Sequence, residues 1–242
     1  MPRDPWAVLR STVRAIPGAR ALARWVLARF NPDIQAERRL RQDPRLYQPG
    51  GRTQLNRYPH LFGALRDALA DLSSPEILSY GCSTGEEILS LQSLIPGARL
   101  AGIDINARRI RVARRKIADA SVRLWTAGSI GETEAGRFDA ITCLSVLHRP
   151  ETIHDWPADP TPYMTFATFE TAILDLDAHL KPGGFLLLDH LSFCFADTSV
   201  ASNYTPVRID GVQPGPRKRY DRNNQPILVQ SDEHVSLWRK AP

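Results

Sequence analysis

Between residues 76 and 189 short apolar runs alternate with amphipathic stretches, and this rhythm constrains the fold more than any other feature of the chain. The runs Glu76 to Tyr80, Arg99 to Ile105, Val122 to Thr126, Phe138 to Leu144 and Phe185 to Asp189 are too short for buried helices and read as strands. Between them Ile88, Leu91 and Ile95, then Ile110, Ala113 and Ile117, then Phe166, Phe169, Ile173, Leu176 and Leu180 recur at helical spacing. Strand, helix, strand at this rhythm demands right-handed crossovers. It predicts a doubly wound, mostly parallel α/β sheet. Beyond residue 190 the helical signal stops, and Pro226 to Gln230 with His234 to Arg239 read as a closing antiparallel pair.

Upstream, Trp6, Leu9, Val13 and Ile16, then Leu22, Trp25, Val26 and Phe30, suggest two short amphipathic helices. Residues 1–45 hold ten arginines against four acidic residues, a surplus of six that exceeds the net charge of +5 and leaves the remaining chain close to neutral. Such helices suit packing on the main domain or peripheral contact with an anionic membrane surface. The stretch 41–58, rich in Pro, Gly, Gln and Arg, reads as a linker or a loop that covers a cofactor. Leu61, Phe62, Leu65, Leu69 and Leu72 then mark a helix leading into the main domain. These features divide the chain into a basic helical extension and linker, 1–58, and a catalytic domain, 59–242.

No apolar run approaches the roughly 20 residues of a membrane span, and the start lacks a secretory h-region. Three widely separated cysteines, Cys82, Cys143 and Cys194, suit reduced thiols in a cytoplasm.

The most informative segment is Glu76-Ile-Leu-Ser-Tyr-Gly-Cys-Ser-Thr-Gly-Glu-Glu87. A strand delivers the chain to Gly81, and Gly85 opens a helix, so backbone can approach a ligand closely. Asp104 ends the next strand, where a carboxylate can accept hydrogen bonds from ribose hydroxyls. Glu86 and Glu87 stand in the first helical turn, where a dinucleotide would place its pyrophosphate. Their charge disfavours a nicotinamide cofactor and suits a cationic, phosphate-free one. Thr84-x-x-Glu87 also has the form of a capping box, with both acids complementing the helix dipole.

Gly81-Cys-Ser-Thr-Gly-Glu-Glu87 resembles motif I of class I S-adenosylmethionine-dependent methyltransferases, and most closely the version in chemotaxis-receptor glutamate methyltransferases. Gly102-Ile-Asp-Ile-Asn106, Phe138 to His148 and Leu180-Lys-Pro-Gly-Gly-Phe185 resemble later motifs of the same superfamily, and together the matches span roughly residues 74–190. The resemblance implies a seven-stranded Rossmann-like sheet with an antiparallel C-terminal strand. It implies that Gly81, Cys82, Ser83 and Gly85 line the methionine part of S-adenosylmethionine, and Glu86 beside them is read as cofactor-binding too. Asp104 would hold the ribose, Ile105 would pack on adenine, Ser129 would lie near the adenine amino group, and Leu144 and Ser145 would lie beneath the donor. Two positions depart from the pattern: Ser79 stands where an acid is common, and Ser129 where Asp is common. The helical N-terminal domain and inserted sheet of the receptor enzymes cannot be traced.

Methyl transfer needs orientation and, for an acceptor that loses a proton, a general base. His148 after the fourth strand is the first candidate and His190 after the fifth the second, because an imidazole titrates near neutral pH. Glu151, His154 and Asp155 lack the spacing of a metal site, so no metal is expected. The loop Pro150 to Tyr163, with four prolines, Trp156 and Tyr163, could cover a substrate. Arg217-Lys-Arg-Tyr-Asp-Arg222 could touch nucleic acid but suits a solvated hairpin. The expected acceptor is a small or medium-sized molecule methylated at O or N. A non-catalytic binding module and a protein carboxylate methyltransferase are the alternatives.

Overall fold

The computed structural model describes residues 35, 39–131, 136–148, 157–209, 217–229 and 235–242. The two N-terminal amphipathic segments, Glu151, His154, Asp155 and Trp156 lie outside the described residues. Residues Pro44–Pro242 form one compact unit, distinct from Met1–Asp43. That unit therefore takes in the stretch 44–58.

Its centre is a seven-stranded sheet built in the expected manner. Five strands run parallel: β1 (Glu76–Tyr80), β2 (Arg99–Asp104), β3 (Arg123–Thr126), β4 (Phe138–Leu144) and β5 (Leu180–Asp189). Helices α2 (Glu86–Leu94), α3 (Ala107–Lys116) and α4 (Phe166–His179) lie in the connections, and α1 (Pro59–Ala68) precedes β1. Asn106 caps α3 by accepting from the Arg108 and Arg109 amides, and Thr165 caps α4 by accepting from the Thr168 amide.

The C-terminal part adds β6 (Tyr204–Val207), β7 (Arg217–Tyr220), β8 (Pro226–Val229) and β9 (Leu237–Lys240). The sheet order is β3-β2-β1-β4-β5-β9-β6, with β9 antiparallel to both neighbours. Here the expected pairing is corrected. The 226–229 strand pairs with Arg217–Tyr220 in a separate two-stranded sheet, while 237–240 inserts between β5 and β6. The insertion buries Leu237 completely in the core beside Leu187, whereas β8 offers only Val229 for burial. More apolar surface leaves water this way.

Alternation along the strands sorts residues onto two faces. Leu78, Tyr80, Ile141, Cys143, Leu186 and Leu188 pack with Phe169, Ile173 and Leu176 of α4. Ile77, Ala140, Leu144 and Leu187 pack with α1, α2 and α3. Ser79 and Thr142 stand at register partners on β1 and β4, in phase with the second set. Strand order reverses between β1 and β4, and open α/β sheets bind ligands at the carboxyl ends beside such a switch point.

Candidate active site

Three of the strands that meet this edge end in left-handed backbone. After β1, Gly81 (φ 79°), Ser83 (φ 51°) and Gly85 (φ 92°) turn the chain into α2; after β4 and β5, Ser145 (φ 58°) and His190 (φ 53°) do the same. Left-handed conformation is costly for a non-glycine residue and tends to occur where function holds it. A Cβ on Gly81 would lie 2.4 Å from a Val146 methyl, so the two turns pack against each other through the missing side chain.

A cavity of about 470 Å³ opens here, within the usual range of small-molecule sites. Of the residues expected to bind a donor or act in catalysis, Gly81, Cys82, Ser83, Asp104, Ile105, Leu144, Ser145 and His148 line it. Gly85 does not; it forms the N-cap of α2, and a Cβ there would press on Ile117 and Ala113 of the neighbouring segment. Ser129 is exposed and Glu86 turns away, so neither reaches the cavity wall.

Asp104 is fixed by the backbone around it. Its Oδ2 accepts from the Ser83 amide at 3.0 Å and its Oδ1 from the Asn106 amide at 2.7 Å, with Arg109 Nη1 3.9 Å away. Burial raises its pKa against the opposing pull of those amides and of Arg109. The Cys82 thiol is buried, and burial together with Asp104 and Glu87 pushes it well above its ordinary range. It remains a protonated, small turn residue rather than a nucleophile.

The capping box does not form. Gly85 caps α2 without a side-chain bond, and Thr84 Oγ1 donates instead to Glu86 Oε2 at 2.7 Å. Glu86 pairs with Lys116 of α3; burial alone would raise its carboxyl, but Lys116 and Thr84 prevail and hold it below the ordinary range. Glu87 points inward. Its Oε1 accepts from Ser79 Oγ at 2.8 Å and from Thr142 Oγ1, and burial raises its pKa despite those bonds and nearby Arg57. The carboxylate missing at position 79 is thus brought to the same place from the helix.

The walls also correct the charge argument. Among the described residues Glu87 and Asp104 are joined by Arg45, Arg52, Arg57 and Arg109, four cations against two acids. Next to the glycine turn both Asp104 and Glu87 act on the Cys82 thiol.

Most of what the sequence did not mark comes from residues 45–58, which run across the cavity as a strap. Ser83 Oγ donates to the Gly51 carbonyl at 3.2 Å, and Arg109 Nη2 to the Pro49 carbonyl at 2.8 Å. The Asn56 amide donates to Ser90 Oγ at 3.0 Å, and Tyr58 Oη bonds Ser145 Oγ at 2.7 Å. Arg57 Nη1 donates to the Arg52 carbonyl at 3.0 Å and its Nη2 approaches Ser145 Oγ at 3.4 Å. The composition of this stretch admitted a covering loop, but nothing local placed its contacts.

His148 is buried at the cavity edge, its ring 6.4 Å from that of His190. His190 Nδ1 lies 2.8 Å from Asp189 Oδ2, an ion-pair distance, although its direction is poor for a hydrogen bond. Tyr58, the last residue of the strap, lies 5.9 Å from the His190 ring. Among the described residues no group of three or more His, Cys, Asp or Glu side chains is arranged to hold a metal ion.

The methyltransferase-domain family matches residues 78–186, the stretch that carries the glycine turn, Asp104 and His148. Over those residues the chain carries a methyltransferase domain. Related proteins include the ubiquinone biosynthesis O-methyltransferase of Bordetella pertussis, 30% identical over 98 residues, which cover 38% of this chain and 40% of that enzyme. The enzyme of the same name from Pseudomonas aeruginosa is 36% identical over 90 residues, 35% of this chain and 38% of that one. The aligned part thus spans about two fifths of these relatives. Among solved structures, PKMT2 of Rickettsia typhi in complex with AdoHcy superposes with a TM-score of 0.41 at 20% identity, over 54% of this chain and 24% of that one. The plantazolicin methyltransferase BpumL in complex with SAH gives 0.40 at 14% identity, over 74% and 61%. Among the described residues no helix of this methyltransferase domain is long and apolar enough to cross a membrane.

Proposed function

We propose that this protein transfers a methyl group from S-adenosylmethionine to an oxygen or nitrogen of a small or medium-sized acceptor, in the cytoplasm. One observation carries the reading: a cavity at the switch point of a methyltransferase domain is walled by the glycine turn, Asp104 and the inward-turned Glu87.

The residues present fit the donor. The Asp104 carboxylate, held by two backbone amides, faces the cavity where ribose hydroxyls would be bound, and Ile105 offers an apolar wall for adenine. Glu87 supplies the negative charge suited to an ammonium or sulfonium group. S-adenosylmethionine, when bound, supplies an electrophilic methyl carbon. The chain's own work is then to orient the acceptor, exclude water and accept a proton. The strap 45–58 excludes water over the cavity. His148, at its edge, takes the acceptor proton, for which a neutral imidazole is suited near pH 7. Ser145 is anchored by Tyr58 and Arg57 in the strained turn beside it, which fixes that edge.

Calorimetry with S-adenosylmethionine and S-adenosylhomocysteine, followed by turnover on a broad panel of O and N acceptors, tests the reading. Binding plus acceptor-dependent product supports it. Binding of neither compound to folded protein overturns it, and tight binding without transfer to any acceptor would instead favour a non-catalytic binding module.

A further inference from the structure

A second cavity, of about 310 Å³, lies on the other side of Arg57 and Tyr58, which belong to the walls of both. It is bounded by α1 at Pro59, His60 and Leu61, by Asp189 and His190 at the end of β5, by Arg217 of β7 and by Ser236 before β9. The two cavities therefore share Arg57 and Tyr58, with His148 lining the first and His190 the second.

The chemistry of this second cavity is specific. Its body is formed by the Tyr58 and His190 rings, 5.9 Å apart, with Pro59 and Leu61. Among the described residues two guanidinium groups reach it, against a single carboxylate. That carboxylate, Asp189, is buried and already engaged: its Oδ1 accepts from Arg217 Nη1 at 2.7 Å, and its Oδ2 lies 2.8 Å from His190. Arg217 remains 31% exposed, so the rest of its fork meets the cavity or solvent. Arg57 donates to a carbonyl and approaches a hydroxyl, stacking 5.1 Å over the Tyr58 ring. A planar fork left with donors to spare, beside ring walls, matches a carboxylate on a flat apolar body. Nothing in the mechanism requires β7 to carry an arginine to the end of β5. Arg217 pairs with the buried Asp189 and, 31% exposed, has donors left for a second anionic group.

We propose that the cavity between Tyr58, His190 and Arg217 is the acceptor site, and that it takes a planar, carboxylate-bearing molecule with its carboxylate on Arg217 and Arg57. This rests on the methyltransferase reading above. An acceptor held there by its carboxylate would extend its far end past Tyr58 into the donor cavity, where His148 lies.

The test uses the full chain with benzoate as probe and benzamide as its uncharged counterpart, each titrated by ligand-observed NMR with and without saturating S-adenosylhomocysteine. Benzoate is expected to bind about tenfold more tightly than benzamide, as charge-assisted pairing requires. Arg217→Gln is expected to remove that preference while leaving S-adenosylhomocysteine affinity within about twofold, because Arg217 does not line the donor cavity. Equal binding of benzoate and benzamide to the wild-type chain overturns the proposal without need of any variant, as does an undiminished preference in folded Arg217→Gln. Failure of S-adenosylhomocysteine to bind, with the benzoate preference intact, overturns the methyltransferase reading and leaves the anion site standing.

Discussion

Ser79 and Thr142 face each other across the β1–β4 pair, and both hydroxyls donate to the same oxygen of Glu87. A buried carboxylate is costly unless it is hydrogen-bonded, and this cross-strand pair supplies the bonds from the sheet. The arrangement puts a partly buried acid against the donor cavity, its pKa raised chiefly by desolvation in spite of the two bonds.

Glu87→Gln keeps an acceptor oxygen for both hydroxyls and removes the charge. A carboxyl whose folded pKa is raised stabilises the native state below its unfolded value. That contribution is lost as pH climbs through the folded value, because the native state holds the extra proton in between. The variant is therefore expected to be more stable than the wild type at pH 8 and indistinguishable at pH 4, as measured by urea unfolding at each pH. Its affinity for S-adenosylmethionine should fall by roughly 5- to 30-fold, the equivalent of about 1–2 kcal/mol for losing one nearby charge. Unchanged calorimetric affinity would remove Glu87 from the donor site.

The fate of Glu87 also shows where the sequence stops being informative. The boundaries of β1 and β4 and the turn at Gly81 were legible, because strand period and glycine placement are local properties. Thr84-x-x-Glu87 was equally legible as a local cap, and was wrong. Gly85 in left-handed backbone took the N-cap, and Thr142, 55 residues on, competed successfully for the carboxylate. The strap was legible only as a linker or a covering loop, for the same reason. Its Pro- and Gly-rich stretch has no period, and its position is set by Ser83, Ser90, Arg109 and Ser145, none of them near it in sequence. Likewise β8 and β9 resembled one hairpin, and only the place open beside β5 separates them.

The strap should control how fast the donor leaves. Arg109 ties it to the domain through the Pro49 carbonyl, and a bond from a charged donor is worth about 1.5–3 kcal/mol. Arg109→Ala is expected to raise the dissociation rate of S-adenosylhomocysteine by about tenfold in stopped-flow displacement, with a smaller change in association. Equal rates would mean that the strap is not a barrier to release.

The two histidines should separate kinetically. His148 lines the donor cavity, so His148→Asn is expected to lower kcat by about 10²–10⁴ for an acceptor that loses a proton. His190 walls the second cavity, so His190→Asn should act mainly by raising the acceptor KM. Initial-rate kinetics on any acceptor found in the panel will decide, and an inverted pattern would exchange their roles.

Gly81 carries two separable constraints, and a pair of substitutions can divide them. In Gly81→Ala the new methyl would meet Val146 at 2.4 Å, and the backbone would still be held at φ 79°. Overpacking costs about 1–3 kcal/mol, and left-handed backbone about 1–2 kcal/mol for a residue with a Cβ. Val146→Ala removes the obstructing methyl groups but cannot relieve the torsion. The double variant should therefore recover the overpacking part alone, remaining about 1–2 kcal/mol less stable than Val146→Ala by denaturant unfolding. Full recovery would show that the turn tolerates a side chain and that contact with Val146, not backbone conformation, is what demands glycine there.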